Sequence, residues 1–139
     1  MTVKEYLSQA FTIDRILRMR QTQIEELEAK RFFIGTTLDG VAVKTGHRKD
    51  RIGNLSAKLL DMIDDYIQDT ERLLSLKAEI KGLIDKLDNQ THRLILTERY
   101  INLKRWEDVA ADNNYSWQHV HKLHNQALRS VEIVISESE

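Results

Sequence analysis

The fold turns on residues 106–131, WEDVAADNNYSWQHVHKLHNQALRSV. A short helix carries Val109 and Ala110, and a tight turn holds Asn113-Asn114-Tyr115. Ser116 caps a second helix with an inward stripe of Val120, Leu123, Ala127 and Leu128. This is the pattern of a helix-turn-helix, which needs a small residue where the helices cross, a residue that tolerates a left-handed backbone, and an apolar plug after the turn. Ala110, Asn114 and Tyr115 meet those needs. Asn113 is a polar residue beside a small core, so its side chain must find hydrogen bonds. From Ser116 to Val131 there is no acidic residue. The outward face carries Trp117, Gln118, His121, Lys122 and Asn125, with His119, His124 and Arg129 nearby. Such side chains suit phosphates and base edges.

Working back toward the N-terminus, Asp88-Asn89-Gln90-Thr91 reads as a cap for a helix running to about Asn102. Leu94, Ile95, Leu96, Tyr100 and Ile101 supply its apolar face, and Asn102-Leu103-Lys104-Arg105 is the connection onward. Residues 51–87 carry the strongest periodicity in the chain. Ile52, Leu59, Tyr66, Leu73, Ile80 and Leu87 recur at heptad spacing, with Leu55, Met62, Leu76 and Leu83 as the second position and Asp69 as its gap. Ile63 and Ile84 widen the stripe. Residues 2–34 repeat the pattern through Tyr6, Ile13, Leu27 and Ile34 and through Ala10, Leu17 and Ile24, interrupted by Arg20 and Arg31. Thr2 and Glu5 have capping-box spacing at its start.

Between the long helices, residues 35–50 lose the period. Gly35 reads as a helix stop and His47-Arg48-Lys49 as a solvated basic cluster in a flexible loop. The organisation expected is therefore all-α: a long antiparallel helical hairpin over 1–88, a coiled-coil-like arm, then a helix-turn-helix domain over 89–135 and an acidic tail at 136–139. Two helices alone leave much of each stripe half exposed. A further partner is expected, either the C-terminal domain or a second copy in a homodimer through the long helices.

Composition narrows the function classes. The 139 residues contain no proline and no cysteine, which fits an all-α chain and excludes disulfide and thiolate chemistry. No signal peptide and no membrane span is readable, so the chain reads as soluble and cytoplasmic. Net charge is −1, so any nucleic-acid binding must come from a local patch. Asp61, Asp64, Asp65 and Asp69 read as a solvated helix face rather than an acid/base pair. Of the histidines at 119, 121 and 124, only His121 and His124 share a face, and no carboxylate or cysteine completes a metal set. Trp106 reads as a core or junction residue. Ser136 and Ser138 have no base partner. No enzyme, cofactor or metal is expected.

The segment RYINLKRWEDVAADNNYSWQHVHKLHNQAL, residues 99–128, resembles region 4 of sigma-70 type factors. Within that class the chain is similar to small phage regulators of the ArpU/RinA type, and the opening MTVKEYLSQAFTID resembles their start. Asn113 and Asn114 depart from the apolar residue and glycine usual there. The resemblance implies a sequence-specific duplex DNA-binding transcriptional regulator in a bacterial host cell, with double-stranded DNA as partner and RNA polymerase or another host protein beside it. Trp117, Gln118, His121, Lys122 and Asn125 are then the base-contact candidates, and Lys104, Arg105 and Arg129 the phosphate candidates. Histidines close to phosphate gain protons more readily, so DNA affinity is expected to strengthen as pH falls from about 7.5 to 6. The competing reading is a protein-interaction module, an inhibitor of a host factor or a packaging component, that uses the hairpin and the Trp117 face.

Overall fold

The two heptad stripes form two long helices, α1 (Val3–Thr37) and α2 (Thr45–Asp85). Helix α3 (Gln90–Leu96) runs directly into a π-helical turn (Thr97–Ile101), followed by α4 (Trp106–Asp112) and α5 (Trp117–Ser138). The computed structural model describes residues 1–37 and 45–138, with 36, 37 and 45–49 as backbone only. Among the described residues the fold is all-α.

Three helix starts, those of α1, α3 and α5, are written locally. At α1 the Glu5 amide donates to Thr2 Oγ1 (3.1 Å) and the Thr2 amide to Glu5 Oε2 (3.2 Å), the reciprocal pair of a capping box. Asn89 Oδ1 accepts from the amides of Thr91 and His92 at α3. Ser116 Oγ accepts from the His119 amide (3.1 Å) at α5. Helix stops were harder to read. Gly35 lies inside α1 and Thr45 already inside α2, so helix covers much of the expected 35–50 connection. A lone helical glycine costs only about 1 kcal/mol, and α1 runs two residues past Gly35 to Thr37. Residues 38–44 and the side chains of His47-Arg48-Lys49 lie outside the described residues. The expected frayed tail is also helical to Ser138, whose Oγ donates to Val134 O (3.0 Å).

The chain forms two compact units: Asp14–Glu71, and Met1–Ile13 together with Arg72–Glu139. The division falls inside both long helices. The first turns of α1 belong with the C-terminal helices because Phe11 packs edge-on against Tyr100 and its ring faces the Arg99 guanidinium at 4.1 Å.

Within residues 14–71 the two helices pair antiparallel. Arg20 and Asp69, which interrupt the two apolar stripes, answer one another: Arg20 Nε donates to Asp69 Oδ2 at 2.5 Å. Arg20 also reaches Asp65 (3.7 Å), and Arg31 donates to Ser56 Oγ (3.4 Å). Leu17, Leu27 and Leu59 are buried; Ile24, Ile52, Leu55, Met62, Ile63 and Tyr66 are only half-buried.

The other unit is more deeply packed. Tyr6 donates to Glu79 (2.6 Å), and burial with that carboxylate pushes the phenol pKa up to about 12. Leu7, Ala10, Leu76, Ile80, Ile84 and Leu87 are buried, as are Ile95, Leu96, Tyr100, Val109, Val120, Ala127 and Val131 from the shorter helices. Ile95, Val109 and Val120 form the centre against which Trp106, Ala110, Tyr115 and Leu123 pack.

Candidate functional site

Helix α4, the turn after it and the first turns of α5 hold the residues singled out by sequence. Asn114 takes φ +56°, the left-handed conformation expected of it. The Tyr115 amide then donates to Ala110 O (2.9 Å), closing the end of α4. Asn113 finds the bonds it needs: its Nδ2 donates to Val109 O (2.8 Å) and to Glu98 Oε2 (3.1 Å). Glu98 is buried in the π-helical turn, where the Asn102 amide reaches back five residues to Thr97 O (2.9 Å). The same turn forces Leu103 to φ +55°, a position not foreseen from the sequence. Tucking Glu98 inward supplies the acceptor that a polar Asn113 requires.

The inward stripe of α5 is Val120, His124, Ala127 and Val131, all buried. His124 was expected among the outward, phosphate-seeking histidines; its Nε2 instead lies 2.7 Å from the Tyr100 hydroxyl. Its ring packs 4.5 Å from Trp106 and 5.7 Å from Tyr100. Burial, and then the charges of Lys4, His121 and Arg99, lower its pKa to about 4. His124 is therefore neutral at pH 7 and shares a hydrogen bond with the Tyr100 hydroxyl. Burial likewise raises the Tyr100 pKa. The helical spacing of Val120, His124, Ala127 and Val131 carried this signal, but the basic composition of α5 drew attention outward.

His121 is half-buried, not openly displayed. Its ring lies 5.2 Å from Trp106 and 4.3 Å from Trp117, and its Nε2 is buried with no hydrogen-bond partner among the described residues. Arg99 continues the stack inward between Trp106 (4.7 Å) and Phe11 (4.1 Å), with its Nη1 donating to Lys104 O (2.8 Å). Burial lowers the Arg99 pKa. Arg99 opens the segment 99–128 read from sequence, whereas nothing in the sequence reading joined Phe11 to this region. Trp117 caps the stack and stays 53% exposed.

Gln118, His119, Lys122, Asn125 and Arg129 are exposed along α5, with His119 edge-on to Tyr115 at 4.9 Å. The basic residues ahead of α4 are engaged within the chain. Lys104 Nζ donates to Asp112 (2.9 Å) and lies 3.6 Å from Glu98; Arg105 Nε pairs with Asp108 (3.2 Å). These carboxylates, Asp112 first for Lys104 and Asp108 for Arg105, raise both pKa values. Among the described residues no group of three histidines or carboxylates could hold a metal ion. No described helix is long and apolar enough to cross a membrane.

A family model described as "Protein of unknown function (DUF1492)" matches residues 35–132. That match spans most of the chain, including α3, α4 and the greater part of α5, and the chain belongs to this family. No curated protein and no solved structure matches it.

Proposed function

We propose that this DUF1492 chain binds duplex DNA, with α4 and α5 acting as a helix-turn-helix and the N-terminal half of α5 entering the major groove, as a transcriptional regulator of sigma-region-4-like type. One observation carries the reading: a left-handed turn at Asn114 and a Ser116-capped α5 present an outward face free of acidic residues from Trp117 to Val131. Gln118, Lys122 and Asn125 are the base-edge candidates on that face. Trp117, held against His121, suits a thymine methyl or the sugar wall. Arg129 is the phosphate candidate. Lys104 and Arg105 reach phosphate only by exchanging their carboxylate partners.

Binding to random and promoter duplexes at two salt concentrations tests this. Binding at about 50 mM salt that weakens steeply with salt is the expected outcome. Arg129→Ala and Gln118→Ala, both at exposed positions, separate the roles: loss of a phosphate contact lowers the salt slope by about 0.9, whereas loss of a base contact relaxes specificity. No binding at about 50 mM salt by the folded protein overturns the proposal.

A second reading, a protein-interaction module, is favoured by the same residues that weaken the first. Lys104 and Arg105 are neutralised within the chain, and Trp117 is a large exposed aromatic of the kind that anchors protein interfaces. RNA polymerase or another host protein would be the partner class.

A further inference from the structure

Helix α2 carries a second pattern beside its heptad seam. Leu60, Ile63 and Ile67 recur at helical spacing, with Leu60 67% and Ile67 49% exposed and Ile63 half-buried. These three form an apolar shoulder that the pairing of α1 and α2 within residues 14–71 leaves open. Asp61, Asp64, Gln68 and Glu71 recur at the same spacing one residue on, all exposed. The helix thus presents an apolar ridge with an acidic ridge beside it. Asp64 accepts a hydrogen bond from Gln68 (3.1 Å). Among the described residues, none forms an ion pair with Asp61, Asp64 or Glu71. Arg20, across the helix pair, is committed to Asp65 and Asp69.

We infer that this ridge is a docking surface for a basic amphipathic helix of another protein. The charge pattern selects that occupant. A helix that lays its apolar face on Leu60, Ile63 and Ile67 brings its flanking positions over Asp61, Asp64 and Glu71. Lysine or arginine there gains three carboxylates that form no ion pair among the described residues, while an acidic helix meets like charge at each step. A second copy of this chain, the other natural occupant, would present this same acidic ridge in a two-fold contact and repel itself. The inference concerns α2 alone and holds whether or not α5 binds DNA.

Two synthetic helical peptides with identical leucine spacing test it, one with lysine at every flanking position and one with glutamate, titrated against the full chain. The lysine peptide binds, the glutamate peptide does not, and a lysine peptide with scrambled leucine positions binds at least about tenfold more weakly. Leu60→Ala with Ile67→Ala, and separately Asp61→Asn with Asp64→Asn and Glu71→Gln, each weaken the lysine peptide about tenfold or more. The control Glu107→Gln with Asp108→Asn, on α4, leaves binding unchanged. All these positions are solvent-facing, so circular dichroism of each variant should match the parent. Equal binding of both peptides, insensitivity to the α2 variants, or loss in the α4 control overturns the inference. So does sedimentation showing a dimer that Leu60→Glu with Ile67→Glu dissolves, because the occupant is then a second copy.

Discussion

The unit of residues 14–71 and the unit that joins residues 1–13 to 72–139 are built from the same two helices and the same heptad pattern, yet they bury it differently. In the first, Leu59 is the buried member of the α2 stripe, and Ile52, Leu55, Met62 and Tyr66 remain half-exposed. In the second, Leu73, Leu76, Ile80 and Leu87 are all buried, with Ile80 at 0% exposure. Two helices shield one seam of each other; the shorter helices add the further layer. A heptad repeat therefore specifies which side chains face a neighbour, and the number of neighbours decides how much water leaves.

The contrast is broken most forcefully by truncating matched positions. Ile80→Ala should cost about 2–5 kcal/mol, the range for a fully enclosed aliphatic side chain, whereas Ile52→Ala, at the same heptad position but half-buried, should cost about 1 kcal/mol. Denaturant unfolding of the two variants measures both, and equal losses would mean that burial does not separate the units.

Acid should act next. His124 is buried neutral with a pKa of about 4 against an ordinary 6.5, so between those values the unfolded chain binds more protons than the folded one. Its contribution is complete above pH 6.5 and disappears as pH falls toward 4, by an amount on the order of 2–3 kcal/mol. His124→Phe should flatten that part of the stability curve. Hydrogen exchange at pH 5 should show earlier opening around α5 than around residues 14–71. An affinity gain on acidification, if α5 binds DNA as proposed, does not draw on His124.

A smaller effect is expected at Arg20 and Asp69. The pair is only partly enclosed, with side-chain exposures of 35% and 11%, so Arg20→Ala should cost about 1–2 kcal/mol, less than a fully buried pair. Replacing both by leucine should hold or raise stability while letting the two helices slip in register, detected as altered cross-linking between cysteines placed at positions 31 and 56. The smallest effect is at the turn. Asn114→Gly should stabilise by up to about 1 kcal/mol by removing a side chain from a left-handed backbone, with no change in the exposed face of α5.

Some of this was present in the residues themselves. Periodicity alone placed the two long helices, because a stripe at helical spacing has few other uses. Thr2, Asn89 and Ser116 announced their helix starts, because a cap is a bond within three residues. Asn114 announced its left-handed turn, because few side chains tolerate one. The helix ends were less legible: α1 runs past Gly35 to Thr37 and α5 to Ser138, because the propensity of one residue is a weak signal.

Other features existed only once the chain had folded. Arg20 and Asp69 looked like two defects until antiparallel pairing put them together. Asn113 looked like a misplaced polar group until the π-helical turn brought Glu98 to it. His124 looked like a surface base until Tyr100 and Trp106 enclosed it. Sequence determines bonds and patterns that close within a turn or two of helix. Which polar groups are satisfied, and which histidine is dry, depends on residues tens of positions apart and is decided by tertiary packing alone.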